Sequence, residues 1–143
     1  MTTQAILLPL FVEVILTFLL WAGMATLRTR DFNTGAVRPE EVALREPKWP
    51  KRTLQFAHSF SNQFEIPVLF YVLTMLAYVT RQAGIAFVVL AWLFVIFRIA
   101  HACVHVTSNI VRLRGALYAL SVVVLAIMWA MYIVEVLTVP QPI

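Results

Sequence analysis

Four long apolar stretches, residues 5–27, 54–79, 84–106 and 115–139, alternate with shorter polar ones along the chain. Each meets the length of about 20 apolar residues that a helix rising 1.5 Å per residue needs to cross the hydrocarbon core of a bilayer. The pattern predicts an all-α integral membrane protein, a four-helix bundle. The first stretch reads as a retained helix rather than a signal peptide: it has no basic leader, it is too long, and Glu13 interrupts it.

The connections are unequal. Residues 28–53 form a polar loop carrying Arg28, Arg30, Arg38, Arg45, Lys48, Lys51 and Arg52. Residues 80–83 form a tight turn with Arg81, and residues 107–114 add Arg112 and Arg114. Nine of the eleven basic residues therefore flank the spans on one side. The positive-inside bias predicts that these two loops are cytoplasmic and that both termini lie outside. Pro39, Pro47 and Pro50 mark the first loop as irregular, and Pro67 predicts a kink in the second helix just past Glu65.

Polar residues inside the spans break the pattern in an ordered way. His58, Asn62 and Glu65 are spaced i, i+4, i+7, so on a helix they share one face within about 60°. In the third span Arg98, His101 and His105 form a second stripe, which Asn109 and Arg112 extend if the helix runs on. Counted from the basic residues at each cytoplasmic end, the two stripes lie at one depth, on the order of 15 Å into the bilayer at 1.5 Å per residue. A lone arginine in hydrocarbon costs at least about 2.5–3.5 kcal/mol on insertion scales. Arg98 must therefore face protein or water and take an acidic partner, for which Glu65 is the nearest candidate. The stripes admit two compatible readings, a buried network that fixes helix packing and a polar pocket for an anionic ligand opening to the cytoplasm. Glu13 is read either as paired with a neighbouring helix or protonated, or as a proton-relay carboxylate.

Composition sharpens the class. Hydrophobic residues make up 62% and charged residues 13%, with a mean hydropathy of +0.86, against roughly 45–50% and about 25% in soluble domains. The formal net charge of +4 comes from residues flanking helices, where topology and anionic headgroups account for it, so nucleic acid is not an expected partner. Cys103 is the single cysteine, which excludes an internal disulfide and a cysteine metal site. No metal-ligand spacing, phosphate loop or serine-nucleophile motif occurs.

The segments RTLQFAHSFSNQFEIP, from Arg52, and FRIAHACVHVTSNIVRLRGALY, from Phe97, together resemble the MAPEG family, the membrane-associated proteins of eicosanoid and glutathione metabolism. In that family the second helix carries a pattern close to R-A-H-x-N-x-x-E followed by Pro, whose latter half Asn62, Glu65 and Pro67 match. The third helix and its continuation carry R-x-x-H-x-x-x-Y, then an Arg nine residues on, then R-x-x-x-Y. Arg98, His101, Arg114 and Tyr118 match these positions. His58 stands where the family usually has an arginine that binds a glutathione carboxylate, and His105 stands where a tyrosine is usual. Imidazole, unlike guanidinium, is not permanently charged.

The resemblance implies a homotrimer of four-helix subunits, with glutathione as co-substrate and a lipophilic small molecule entering from the membrane lipid. The implied chemistry is a transferase or peroxidase reaction on that electrophile. Arg114 is the implied catalytic residue, stabilising the thiolate. His58, Asn62, Glu65, Arg98, His101, His105 and Tyr118 are the implied glutathione-binding set, with Arg98 either touching a carboxylate or orienting Glu65. The alternative is a non-catalytic membrane trimer or a module for another anionic ligand.

Overall fold

The structure is a computed structural model that describes residues 2–43 and 48–138. Arg45 and Pro47 of the expected loop, and residue 139 at the expected end of the last span, lie outside the described residues. The described residues form five α-helices and no strand: α1 (Thr3–Asn33), α2 (Lys51–Ser61), α3 (Ile66–Val79), α4 (Ile85–Val106) and α5 (Val111–Thr138). Taken with α2 and α3 as one interrupted span, four of these units are long and apolar enough to cross a membrane, and the protein is a multi-pass integral membrane protein.

Two boundaries move by more than three residues from the hydropathy reading. α1 continues six residues past 27, so Arg28, Arg30 and Asp31 are helical. Its last turns are tied to the second span: Asp31 accepts a hydrogen bond from Thr53, and Trp49 packs edge-on against Phe32 at 5.1 Å, with the Arg28 guanidinium 5.0 Å from its ring. α5 starts at Val111 rather than 115. α4 ends at Val106, so Asn109 and Arg112 do not continue its stripe, contrary to the extension of that face drawn from spacing.

The second span is broken rather than kinked. α2 gives way to a single 3-10 turn, Asn62–Phe64, and α3 begins with Pro67 in its first turn. Proline has no N–H to offer the carbonyl four residues back, here Gln63, and its ring crowds that carbonyl. The chain accordingly departs from helical geometry at Glu65, with φ −103° and ψ −109°. Carbonyls at the end of α2 are thereby freed in the middle of the membrane, where each needs another donor.

α4 is the hub, packing against α5, α1 and α2, while α1 also packs against α2 and α3. The core divides along its length. Towards the α3–α4 turn it is apolar, built from Phe70, Leu73, Ala77, Phe87, Ala91, Phe94, Val124, Leu125 and Met128, with Phe70 and Phe94 stacked at 4.5 Å. Towards the ends that carry the basic loops it is polar: Glu13, Ser59, Gln63, Arg98, His101, His105 and Ser121 are all buried. Leu8, Phe11, Ile15, Phe18 and Leu19 stay exposed on α1, as lipid-facing residues do.

α1 and α2 approach closely where Gly23 faces the ring of Phe56. A Cβ at Gly23 would lie 2.4 Å from Phe56 Cε1. Gly23→Ala is therefore expected to destabilise the protein by about 1–3 kcal/mol through overpacking, although alanine is the better helix former. Denaturant unfolding in micelles checks this, and equal or greater stability would contradict the contact.

Candidate functional site

The broken span brings the two stripes together. A cavity of about 460 Å³ is lined by His58, Ser61, Asn62, Glu65, His101, His105, Arg114, Gly115 and Tyr118, within the roughly 300–1,000 Å³ usual for small-molecule sites. Seven of the eight residues singled out from the sequence share this wall. A cavity of about 520 Å³ at the opposite end, lined by Thr3, Ile6, Tyr78, Val79, Arg81 and Ala83, contains none of them.

Arg98 is the eighth, and it sits behind the wall, fully buried. Its acidic partner is Glu13 of α1, with Nε 3.6 Å from Oε1, and not Glu65, which is exposed at the head of α3. This corrects the pairing drawn from depth. The break explains the difference: with the helix interrupted at Glu65, the guanidinium reaches the freed main chain, and Nη2 donates to the Asn62 carbonyl at 3.1 Å. Gln63, also buried, joins the pair when its amide nitrogen faces Glu13. Its Nε2 then donates to Glu13 Oε1 at 2.9 Å, and its Oε1 accepts from Arg98 Nη2 at 3.2 Å. The face of Arg98 looks onto the Tyr118 ring at 5.8 Å.

His101 joins the two sides of the cavity. Its Nδ1 lies 2.9 Å from the Arg114 carbonyl, and since a carbonyl only accepts, Nδ1 carries the proton. Nε2 then offers its lone pair to the Asn62 side-chain amide at 3.4 Å. The ring also lies 5.7 Å from both His105 and Tyr118. His105 is buried, and its Nδ1 has no hydrogen-bond partner.

Arg114 is held by the turn between α4 and α5. Asn109 adopts a left-handed conformation, φ 50°, which asparagine tolerates better than most residues. Its N–H closes the end of α4 on the Val104 carbonyl at 2.7 Å. Its side-chain Oδ1 accepts from Arg114 Nη1 at 2.6 Å. The guanidinium is thus fixed at one end while the Arg114 carbonyl is fixed at the other by His101.

Sequence reasoning missed Gln63, Asn109 as the holder of Arg114, and Ser61 and Gly115 on the wall. A signal for the Glu13 pairing was present: Glu13 is the one acidic residue in the first apolar stretch, and Arg98 is the one Lys or Arg inside any of the four. Among the described residues no group of three or more His, Cys, Asp or Glu could hold a metal ion.

A positive φ at Asn109 and its bond to Arg114 separate in two variants. Asn109→Ala is expected to cost about 1–2 kcal/mol, the penalty for a Cβ in the left-handed region, whereas Asn109→Gly is expected to stay within about 0.5 kcal/mol of the parent. Thermal unfolding of both checks this, and equal losses would contradict the strained turn.

A family model described as the MAPEG family matches residues 6–134, nearly the whole chain. No curated protein and no solved structure matches it.

Proposed function

Since the chain belongs to the MAPEG family, we propose that it is a glutathione-dependent membrane enzyme, a transferase or peroxidase acting on lipophilic electrophiles as a homotrimer. The observation that carries this reading is the convergence of His58, Asn62, Glu65, His101, His105, Arg114 and Tyr118 on one cavity. That wall offers a carboxylate for an amine, and a guanidinium, an amide, imidazoles and a phenol for carboxylates and peptide groups. These are the functions a tripeptide with two carboxylates, one amine and one thiol requires.

Within this reading Arg114 is the catalytic residue. A free thiol has a pKa of about 8.5 and is mostly protonated at neutral pH, so a guanidinium beside the sulfur raises the thiolate fraction. The S–H bond breaks with its proton leaving to water, and the thiolate sulfur bonds to the electrophilic carbon as the leaving group on that carbon departs with its bonding pair. Asn109 fixes the Arg114 guanidinium, so its orientation is set before the thiol arrives. Glu65, Asn62 and Tyr118 hold the peptide, and Arg98 acts from behind them by fixing the main chain that carries Asn62 and Glu65. Arg114 lies at the head of α5 beside the basic residues that the positive-inside bias assigns to the cytoplasm. A water-soluble thiol arriving there meets a substrate dissolved in the bilayer. His58, in the place of an arginine, favours the second reading, a membrane module that no longer turns over glutathione.

Adding glutathione to the detergent-solubilised protein near neutral pH is expected to raise thiolate absorbance in the ultraviolet. Arg114→Ala is expected to abolish that signal while weakening glutathione binding less than tenfold. Binding without thiolate in the parent would reduce the protein to a ligand module, and absence of both would overturn the glutathione reading.

A further inference from the structure

Glu13 lies outside the cavity, yet it begins a continuous series of contacts that ends on the cavity wall. Its Oε1 accepts from Gln63 at 2.9 Å and faces Arg98 Nε at 3.6 Å. Gln63 in turn accepts from Arg98 Nη2 at 3.2 Å, and the same Nη2 donates to the Asn62 carbonyl at 3.1 Å. The Asn62 side-chain amide meets His101 Nε2 at 3.4 Å, and His101 Nδ1 donates to the Arg114 carbonyl at 2.9 Å. Three helices and the 3-10 turn are linked in this way, and Glu13, Gln63 and Arg98 are each no more than 1% exposed.

We propose that Glu13 is a positioning residue for the cavity: by holding Arg98 and Gln63 it fixes the 3-10 turn, and so sets the Asn62 amide that meets His101 Nε2 and orients its ring together with the Arg114 carbonyl. The proposal rests on the cavity being the functional site, as argued above, but not on the identity of its ligand.

The break in the second span is what links Glu13 to the cavity. In an unbroken helix the Asn62 carbonyl would be satisfied locally, and nothing would tie the orientation of that residue to α1. With the chain out of helical geometry at Glu65, the carbonyl needs an external donor. Arg98 supplies it, and Arg98 cannot stay at that depth without an anion. Glu13 is that anion. Removing its charge leaves Arg98 free to seek Glu65 at the cavity wall, which would pull the guanidinium off the Asn62 carbonyl. Glu13 Oε2 and Arg98 Nη1 have no hydrogen-bond partner, so each group is held through its other atoms alone.

The test reads His101 directly. Protein labelled with 15N-histidine in micelles gives ring-nitrogen signals for His58, His101 and His105, and the His101→Gln variant identifies those of His101. In the parent, His101 is expected to be a single tautomer protonated at Nδ1. In Glu13→Gln the Arg114 carbonyl is expected to keep that tautomer, while the His101 Nε2 signal shifts with loss of the Asn62 contact. Gln63→Met leaves the ion pair in place and is expected to have the same effect, so it carries the test should Glu13→Gln fail to fold. Leu73→Ala, a packing lesion in the apolar half of the core, is expected to lower thermal stability without moving the His101 signals.

An unchanged His101 in a folded Glu13→Gln or Gln63→Met protein would overturn the proposal, as would an equal change in Leu73→Ala. This readout needs no glutathione, so a parent that binds none overturns the functional reading alone. Where glutathione does bind, Gln63→Met is expected to weaken it about tenfold, a loss of the size of one hydrogen bond. Unchanged affinity alongside a released His101 would overturn the claim that this positioning serves the cavity.

Discussion

A guanidinium inside a membrane has to be neutralised and hydrogen-bonded by protein, and much of this structure follows from how Arg98 meets that requirement. The residue is fully buried on α4, the helix against which α1, α2 and α5 pack. Its charge is met by Glu13, and its Nη2 donates to Gln63 and to the Asn62 main chain. The last of these is available only because the second span leaves helical geometry at Glu65. A helix defect and a buried charge, each costly alone, compensate one another, and the cavity opens beside the place where they meet.

The division of the core gives this arrangement its setting. Phe70, Phe94 and their neighbours pack the half towards the α3–α4 turn as an apolar interior, which holds α3, α4 and α5 in fixed relation. The polar half hangs from that frame. Arg114 is constrained by His101 at its carbonyl and by Asn109 at its guanidinium, so this side chain at the head of α5 is ordered by a residue of α4 and by one of the turn that joins the two helices.

The four spans and the two polar stripes were legible because hydropathy reports length and helical spacing reports which residues share a face. A disturbance near Pro67 was legible for the same local reason, that proline lacks the N–H a helix needs, but as a kink and not as the full break. The partner of Arg98 was not. Depth along each helix placed Glu65 beside it, but depth does not say which face of α1 turns inward, and a break frees main-chain acceptors that a continuous helix would hide. Asn109 escaped as well: spacing placed it only on a conditional extension of the α4 stripe, whereas it is a left-handed residue beyond the end of α4 that returns the chain to face the site. The resemblance carried by Asn62, Glu65, Arg98, His101, Arg114 and Tyr118 agrees with the family match over residues 6–134.

The central claim is that the Arg98–Glu13 pair ties the polar half together as a unit. A double-mutant cycle in micelles measures this most directly, using Arg98→Met, Glu13→Leu and the double variant, each followed by denaturant unfolding. Each single variant leaves one charge buried without its partner and should lose about 3–5 kcal/mol, while the double variant, with both charges replaced by apolar groups, should recover most of that loss. Losses that simply add in the double variant would contradict the account.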